Sequence, residues 1–151
     1  MPATVHASAV LVGARAVLIR GPSGAGKSRL ALELIDAARA GRLPLARLVG
    51  DDRVQLESVN GRLLVRPAQA LAGLIELRGV GILRREYEPC AVVGLVVDLD
   101  AKDAQRVPDK PTIEVNGINL PRLAVASGAA ALPAALALLT STEAAIDPQI
   151  S

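Results

Sequence analysis

The spacing of apolar and polar positions changes several times along this chain, and the changes predict a strand-rich body with few helices. Val5 to Gly13 and Arg15 to Ile19 alternate as half-buried strands do, and Gly13-Ala14 between them predicts a tight hairpin. From Ser28 to Ala40 the period lengthens. Leu30, Leu32, Leu34 and Ile35 fall among good helix formers there, predicting an amphipathic helix that ends near Gly41. Leu45 to Val49 is a short apolar run leading into Gly50-Asp51-Asp52. Val54 to Val59 and Arg62 to Val65 flank Asn60-Gly61, a strong hairpin signal. Gly73 to Leu77 reads as a strand, followed by Arg78-Gly79-Val80-Gly81-Ile82 as a glycine-punctuated turn or short strand. Cys90 to Leu99 is a long apolar run of the kind a central strand shows when both its faces are covered. Val107 to Pro111 is a polar, proline-bearing connection, and Ile113 to Val125 predicts one or two strands around Asn116-Gly117. Ala129 to Leu139 predicts a C-terminal helix with Pro133 near its first turn, and the last ten residues are expected to fray. The regular alternation of strand and helix is missing after the first helix, so an α/β mixed sheet fits better than a doubly wound parallel one.

Composition narrows the class. The 151 residues suffice for one domain with a real core, and no repeat or linker divides them. At 51% hydrophobic, the chain favours a packed globule over disorder. No apolar stretch reaches the ~18 residues a membrane span needs, and the Ala/Leu-rich tail from Gly128 to Leu139 is too short. No signal-peptide pattern opens the chain. A single cysteine, Cys90, excludes an internal disulfide framework and suits a reducing, cytoplasmic setting. One cysteine and one histidine exclude a structural zinc site. A net charge of +2 and a single aromatic residue, Tyr87, speak against nucleic acid as a partner. The same scarcity means that a nucleotide must be gripped mainly by its phosphates.

Gly21-Pro22-Ser23-Gly24-Ala25-Gly26-Lys27-Ser28 fits the phosphate-loop pattern G-x-x-x-x-G-K-S/T at every fixed position. An apolar strand, Ala16 to Ile19, feeds it and the predicted helix follows. Glycines let successive backbone N–H groups turn inward on a polyphosphate, and the helix N-terminus adds partial positive charge. Lys27 can reach the terminal phosphates, and the Ser28 hydroxyl can ligate Mg2+. These residues predict a nucleoside-triphosphate site.

Such a loop needs a carboxylate for the metal or its waters. Asp51-Asp52, past a short strand, is one source, and Asp98, ending Leu95-Val96-Val97, is another. The bland readings are a solvated turn for the first and a strand-ending surface acid for the second. Glu76 and Arg78 lie two apart on a predicted strand and so share a face. They would make either a site for Mg2+ and phosphate together or a surface ion pair. His6 is the sole histidine.

Together, His6, the loop Gly21 to Ser28, Asp51-Asp52 and Ile75-Glu76-Leu77-Arg78-Gly79-Val80-Gly81-Ile82 resemble the catalytic domain of bacterial HPr serine kinase/phosphorylase. The last stretch matches that family's E-I/L-R-G-x-G-I/L signature, and the likeness runs from about His6 to Ile82, more weakly to Leu123. It implies a P-loop fold shared with phosphoenolpyruvate carboxykinase, with ATP and Mg2+ as cofactors. It implies that Lys27 contacts the β/γ-phosphates and that Ser28 and Glu76 ligate Mg2+, with Asp51 as a further metal acid. Asp52 would be general base for phosphorylation and general acid for the reverse, with His6 beside it. Arg78 would belong to the signature both reactions use. Arg106, in Gln105-Arg106-Val107-Pro108, would be the counterpart of an arginine near the transferred phosphate.

The resemblance is to a short form of the family, as in alphaproteobacteria. The chain starts almost at His6, so the expectation is one catalytic-type domain over 1–151 without the N-terminal domain of larger members. Where the family has a proline-glycine-arginine-asparagine loop tied to dephosphorylation, Leu123 to Leu132 carries no arginine, which predicts a weak or lost phosphorylase reaction. The implied partner is HPr or an HPr-like phosphocarrier, with two-component kinase components as further partners. Relatives form hexamers, which makes a homo-oligomer an expectation as well. Two other functions fit the same residues: a non-catalytic nucleotide or phosphate sensor, and a kinase for a small metabolite.

Overall fold

In the computed structural model, which describes residues 3–106, 108–109 and 111–141, the apolar runs become the strands of one mixed sheet and of a small separate ribbon. The strands are β1 (Thr4–Val5), β2 (Ser8–Val12), β3 (Arg15–Arg20), β4 (Ala46–Gly50), β5 (Val54–Val59), β6 (Arg62–Pro67), β7 (Leu74–Leu77), β8 (Gly81–Arg84), β9 (Ala91–Asp98), β10 (Thr112–Val115) and β11 (Ile118–Ala124). The helices among the described residues are α1 (Lys27–Arg39), α2 (Ala131–Leu139) and a 3-10 turn at Gln69–Leu71. The predicted fraying of the last ten residues lies outside the described residues, as do Val107 and Lys110 of the predicted connection.

Nine strands form a mixed sheet in the order β1-β5-β6-β9-β3-β2-β4, with β11 also on β9 and β10 on β11. The pairs β3–β9 and β9–β11 are parallel, and the other pairs in this sheet are antiparallel. β9 therefore touches three neighbours, meeting β6 at Ala91–Val92 and β11 at Val96–Asp98, with β3 alongside. Turn chemistry sets the registers. Asn60 and Gly61 take φ 50 and 76, and Asn116 and Gly117 take φ 50 and 81, the paired positive angles that a type I′ hairpin requires. Ile113 to Val125 is thus two strands, β10 and β11.

The first strand departs from its expectation. Val5 to Gly13 does not run unbroken: β1 pairs with β5, β2 pairs with β3 and β4, and the chain steps between them at His6-Ala7. That step leaves His6 exposed at a break rather than inside a ladder.

Apolar residues fill both faces of the sheet. Leu30, Ala31, Leu34 and Ile35 of α1 pack with Val17, Ile19, Leu48, Ile75 and Val97 on one side, joined by Ala135 and Leu136 of α2. Ala16, Leu18, Val49, Leu63, Val65, Val93 and Val96 fill the other. β9 shifts parity in its middle. Ala16 faces Val93 but Val17 faces Leu95, so Gly94 is an extra residue in a bulge. A Cβ on Gly94 would come within 2.7 Å of Arg15 Cβ, so the close approach of the strands there requires glycine.

A separate two-stranded ribbon, β7–β8, carries the Glu76 segment. The stretch Arg78 to Ile82 is its turn and the start of β8, and Ile75 plugs the ribbon into the α1 core.

Candidate functional site

The carboxyl ends of the parallel strands gather the chemistry. β3 runs into the loop Gly21–Gly26, β9 into Leu99-Asp100, and β11 into Val125-Ala126. β4 is antiparallel to β2, and β2 to β3, so β4 delivers Asp51 to the same end. In open α/β sheets ligands collect at such ends. A cavity of about 1000 Å3 opens there. His6, Lys27, Ser28, Asp52, Glu76 and Arg78 all line it, together with Asp51 and the loop from Ser23 to Gly26.

The loop curls as its sequence predicts. Gly24 and Gly26 take φ 85 and 100, and Gly26 caps α1 in the left-handed conformation with no side-chain cap. The first N–H groups of α1 are consequently left for an anion. A Cβ on Gly21 would press within 3.1 Å of Leu99 Cβ, so the loop starts hard against the end of β9. Gly21 and Pro22 contribute their carbonyls, which accept hydrogen bonds from Lys27 Nζ at 2.8 and 3.0 Å. Lys27 as a whole is 7% exposed. Burial lowers its pKa, and the nearby Asp52 and Asp51 carboxylates partly oppose this. Two of its three donors hold the loop, and one remains for a ligand.

Asp51 is buried at the centre of a donor cluster. Its Oδ1 accepts from Ser8 Oγ at 2.6 Å and from Ser28 Oγ at 2.7 Å. Its Oδ2 accepts from the Glu76 amide at 3.1 Å and lies 2.9 Å from Ser28 Oγ. Asp52, the next residue, is exposed, and His6 Nε2 lies 3.0 Å from its Oδ1. Its φ is 67, and the Arg53 amide donates to the Asp51 carbonyl at 2.7 Å, making Asp52 the middle of a tight γ-turn. The turn buries one acid and presents the other.

The ribbon closes the opposite side. Glu76 is exposed at the cavity, and the Arg78 guanidinium sits over the loop, 3.6 Å from where a Cβ on Gly24 would lie. Hard oxygen donors on Ser28, Asp51 and Glu76 therefore line the same cavity as the Ser23–Gly26 loop. That donor set fits Mg2+, which keeps waters and phosphate oxygens and takes only one or two carboxylates from the protein.

Two sequence expectations are not gathered here. Arg106 is exposed in the connection after β9 and is not among the cavity-lining residues. Asp98, the alternative metal acid, is engaged elsewhere. Arg20 Nε and Nη2 donate to its two oxygens at 2.8 and 2.9 Å, and Arg122 Nε at 2.6 Å. Burial pushes the Asp98 carboxyl up, but these hydrogen bonds outweigh burial and hold it below its ordinary value. Arg122 also forks onto Asp103 at 2.8 and 3.1 Å. The network pins the ends of β3, β9 and β11, which is a structural role.

Sequence reasoning passed over Ser8, whose one signal is a polar residue inside an apolar strand. It also missed the apolar wall of the cavity, formed by Leu99, Val125, Ala129, Ala131 and Leu132.

The fold recurs in known proteins. The structure of the Hpr(Ser) kinase/phosphatase from Coxiella burnetii superposes with a TM-score of 0.69 at 26% identity, covering 91% of this chain and 87% of that one. An HPr kinase/phosphorylase of Streptococcus thermophilus is 36% identical over 135 residues, 81% of this chain and 41% of the relative. One from Clostridium beijerinckii is 39% identical over 79 residues, 52% of this chain and 24% of the relative. The chain thus spans about two fifths of the length of the curated Streptococcus relative. The family model for the HPr Serine kinase C-terminal domain matches residues 2–126, which include the loop, the aspartate pair and the β7–β8 signature. On that match the chain belongs to the HPr serine kinase C-terminal domain family.

Proposed function

We propose that the chain is an ATP- and Mg2+-dependent serine kinase acting on HPr or an HPr-like phosphocarrier. The observation that carries this reading is the split of the aspartate pair. Asp51 is buried against the Ser28 hydroxyl, and Asp52 is exposed at the mouth of the same cavity. A serine hydroxyl is a poor nucleophile at neutral pH, so a carboxylate placed to take its proton is what such an acceptor needs.

The phosphates would lie on the N–H groups of the loop, with Lys27 on the terminal ones. Ser28, Asp51 and Glu76 would hold Mg2+, which when bound neutralises charge on the phosphate oxygens. Asp52 accepts the acceptor's hydroxyl proton as its oxygen attacks the terminal phosphorus in line. The bond from phosphorus to the bridging oxygen breaks, and the diphosphate leaves. His6, on Asp52 Oδ1, keeps Oδ2 turned to the incoming hydroxyl. Arg78, over the loop, supplies positive charge beside the oxygens of the transferring group. The cavity wall from Val125 to Leu132 consists of Val, Ala, Gly and Leu residues and carries no guanidinium to bind inorganic phosphate. That supports a kinase in which phosphate-driven reversal is weak.

The test is incubation of the chain with ATP, Mg2+ and the HPr-like protein of the same genome, followed by mapping of the modified residue. Phosphoserine on the carrier is expected, with little release when inorganic phosphate is added. Nucleotide binding without label on any serine would refute the kinase reading and favour a sensor.

A further inference from the structure

Ser8 is fully buried, and the chemistry above gives it no part. It sits on β2 between Ala7 and Ala9, both also fully buried, where an apolar residue would suit the strand. A hydroxyl in such a place is costly unless it is paired. Its partner is Asp51 Oδ1 at 2.6 Å, across 43 residues of sequence.

Three donors from three elements converge on that one carboxylate: Ser8 from β2, Ser28 from α1 and the Glu76 amide from β7. Ser8 holds Oδ1 and the amide holds Oδ2, so the carboxylate plane cannot turn about its Cβ–Cγ bond without breaking one of them. A fixed plane draws the Ser28 proton onto Asp51. The lone pairs of Ser28 Oγ are then directed away from Asp51, toward the cavity. Without the Ser8 hydroxyl the carboxylate is held on Oδ2 alone by a fixed donor, and Ser28 loses its set direction.

We propose that Ser8 is a positioning residue for the divalent-cation site, acting through Asp51 to aim the Ser28 hydroxyl oxygen. The inference rests on the kinase reading above only in requiring that a cation bind there with nucleotide. Outer partners of this kind affect metal affinity more than fold.

The experiment uses Mn2+ as the probe, with the chain in molar excess over ATP so that unbound nucleotide does not chelate the ion, and free Mn2+ is read by its electron paramagnetic resonance signal. Ser8→Ala should hold Mn2+ about tenfold more weakly than wild type. Its ATP affinity in EDTA should be unchanged, a split that general loosening of the fold would not produce. The isosteric pair Ser8→Thr and Ser8→Val separates hydroxyl from shape: Thr should hold Mn2+ tightly and Val weakly, whatever the extra methyl does to the melting temperature. Equal Mn2+ affinity in Thr and Val, or wild-type affinity in Ala, overturns the role of Ser8 and leaves the kinase reading standing. A wild-type chain that binds ATP but no Mn2+ overturns both.

Discussion

Substitution of Asp52 separates two jobs that one residue performs. Its backbone holds a γ-turn at φ 67, and its carboxylate is the proposed proton acceptor. Asp and Asn enter the left-handed region more readily than other side chains, Gly enters it freely, and a residue with an ordinary Cβ pays about 1 kcal/mol or more there. Asp52→Asn therefore keeps the turn. It also keeps the His6 contact, because an amide oxygen can accept from His6 Nε2 where Asp52 Oδ1 now lies at 3.0 Å. Its stability should stay within about 0.5 kcal/mol of wild type, as for a surface change. It cannot take a proton. Loss of a general base costs about 10²- to 10⁴-fold in rate, or roughly 3–5 kcal/mol at the transition state. Asp52→Gly should lose the same rate with the turn intact. Asp52→Ala should lose the same rate and, in addition, about 1 kcal/mol of stability. The assay is single-turnover transfer from saturating ATP to the carrier, beside urea denaturation of each variant. An Asn variant that transfers within about threefold of wild type refutes the base assignment, since that is under 1 kcal/mol of barrier. Rates that follow the stability order rather than the missing carboxylate refute it equally.

Two further outcomes follow from buried charged groups. Lys27→Ala should weaken ATP binding about 10- to 100-fold by calorimetry, the worth of a lost charged hydrogen bond, and leave the fold intact. Asp98→Asn should cost about 2 kcal/mol in urea at neutral pH, because part-buried Arg20 and Arg122 lose a charged acceptor. The pH dependence has a definite sign. The folded Asp98 carboxyl lies below its ordinary value of 3.8, so the unfolded chain takes the proton first on acidification. The stabilisation is complete above the unfolded value and is lost as the pH falls through the folded one. The gap between wild type and Asp98→Asn should therefore narrow in acid, and a constant gap would contradict the assignment.

The sequence carried those parts of the site that depend on local order. The loop, the helix after it and the two Asn-Gly hairpins are encoded in contiguous residues whose backbone needs are specific, and all four formed where the pattern predicted. The exposed and buried members of Asp51-Asp52 could not be told apart in this way, because the difference is one positive φ and the arrival of Ser8 and Ser28 from elsewhere. The competition between Asp98 and the aspartate pair was likewise undecidable from spacing. Arg20 lies 78 residues away and Arg122 lies 24, and only the strand order β3-β9-β11 brings both to that carboxylate. The break at His6-Ala7 was hidden because an apolar alternation continues across a change of partner strand. Arg106 rests on a short stretch of likeness with no periodic pattern behind it, and it is not among the residues that line the cavity.

The ribbon that carries Glu76 and Arg78 has a consequence for how damage would spread. Two strands alone are barely stable in water, so this pair borrows its order from the body of the protein. It does so mainly through Ile75, whose side chain is sealed beneath α1, with Leu83 packed beside the same core and the Glu76 amide reaching Asp51. A residue that no nucleotide could ever touch is thus the rivet for two that would, and trimming Ile75 would blunt the chemistry from behind.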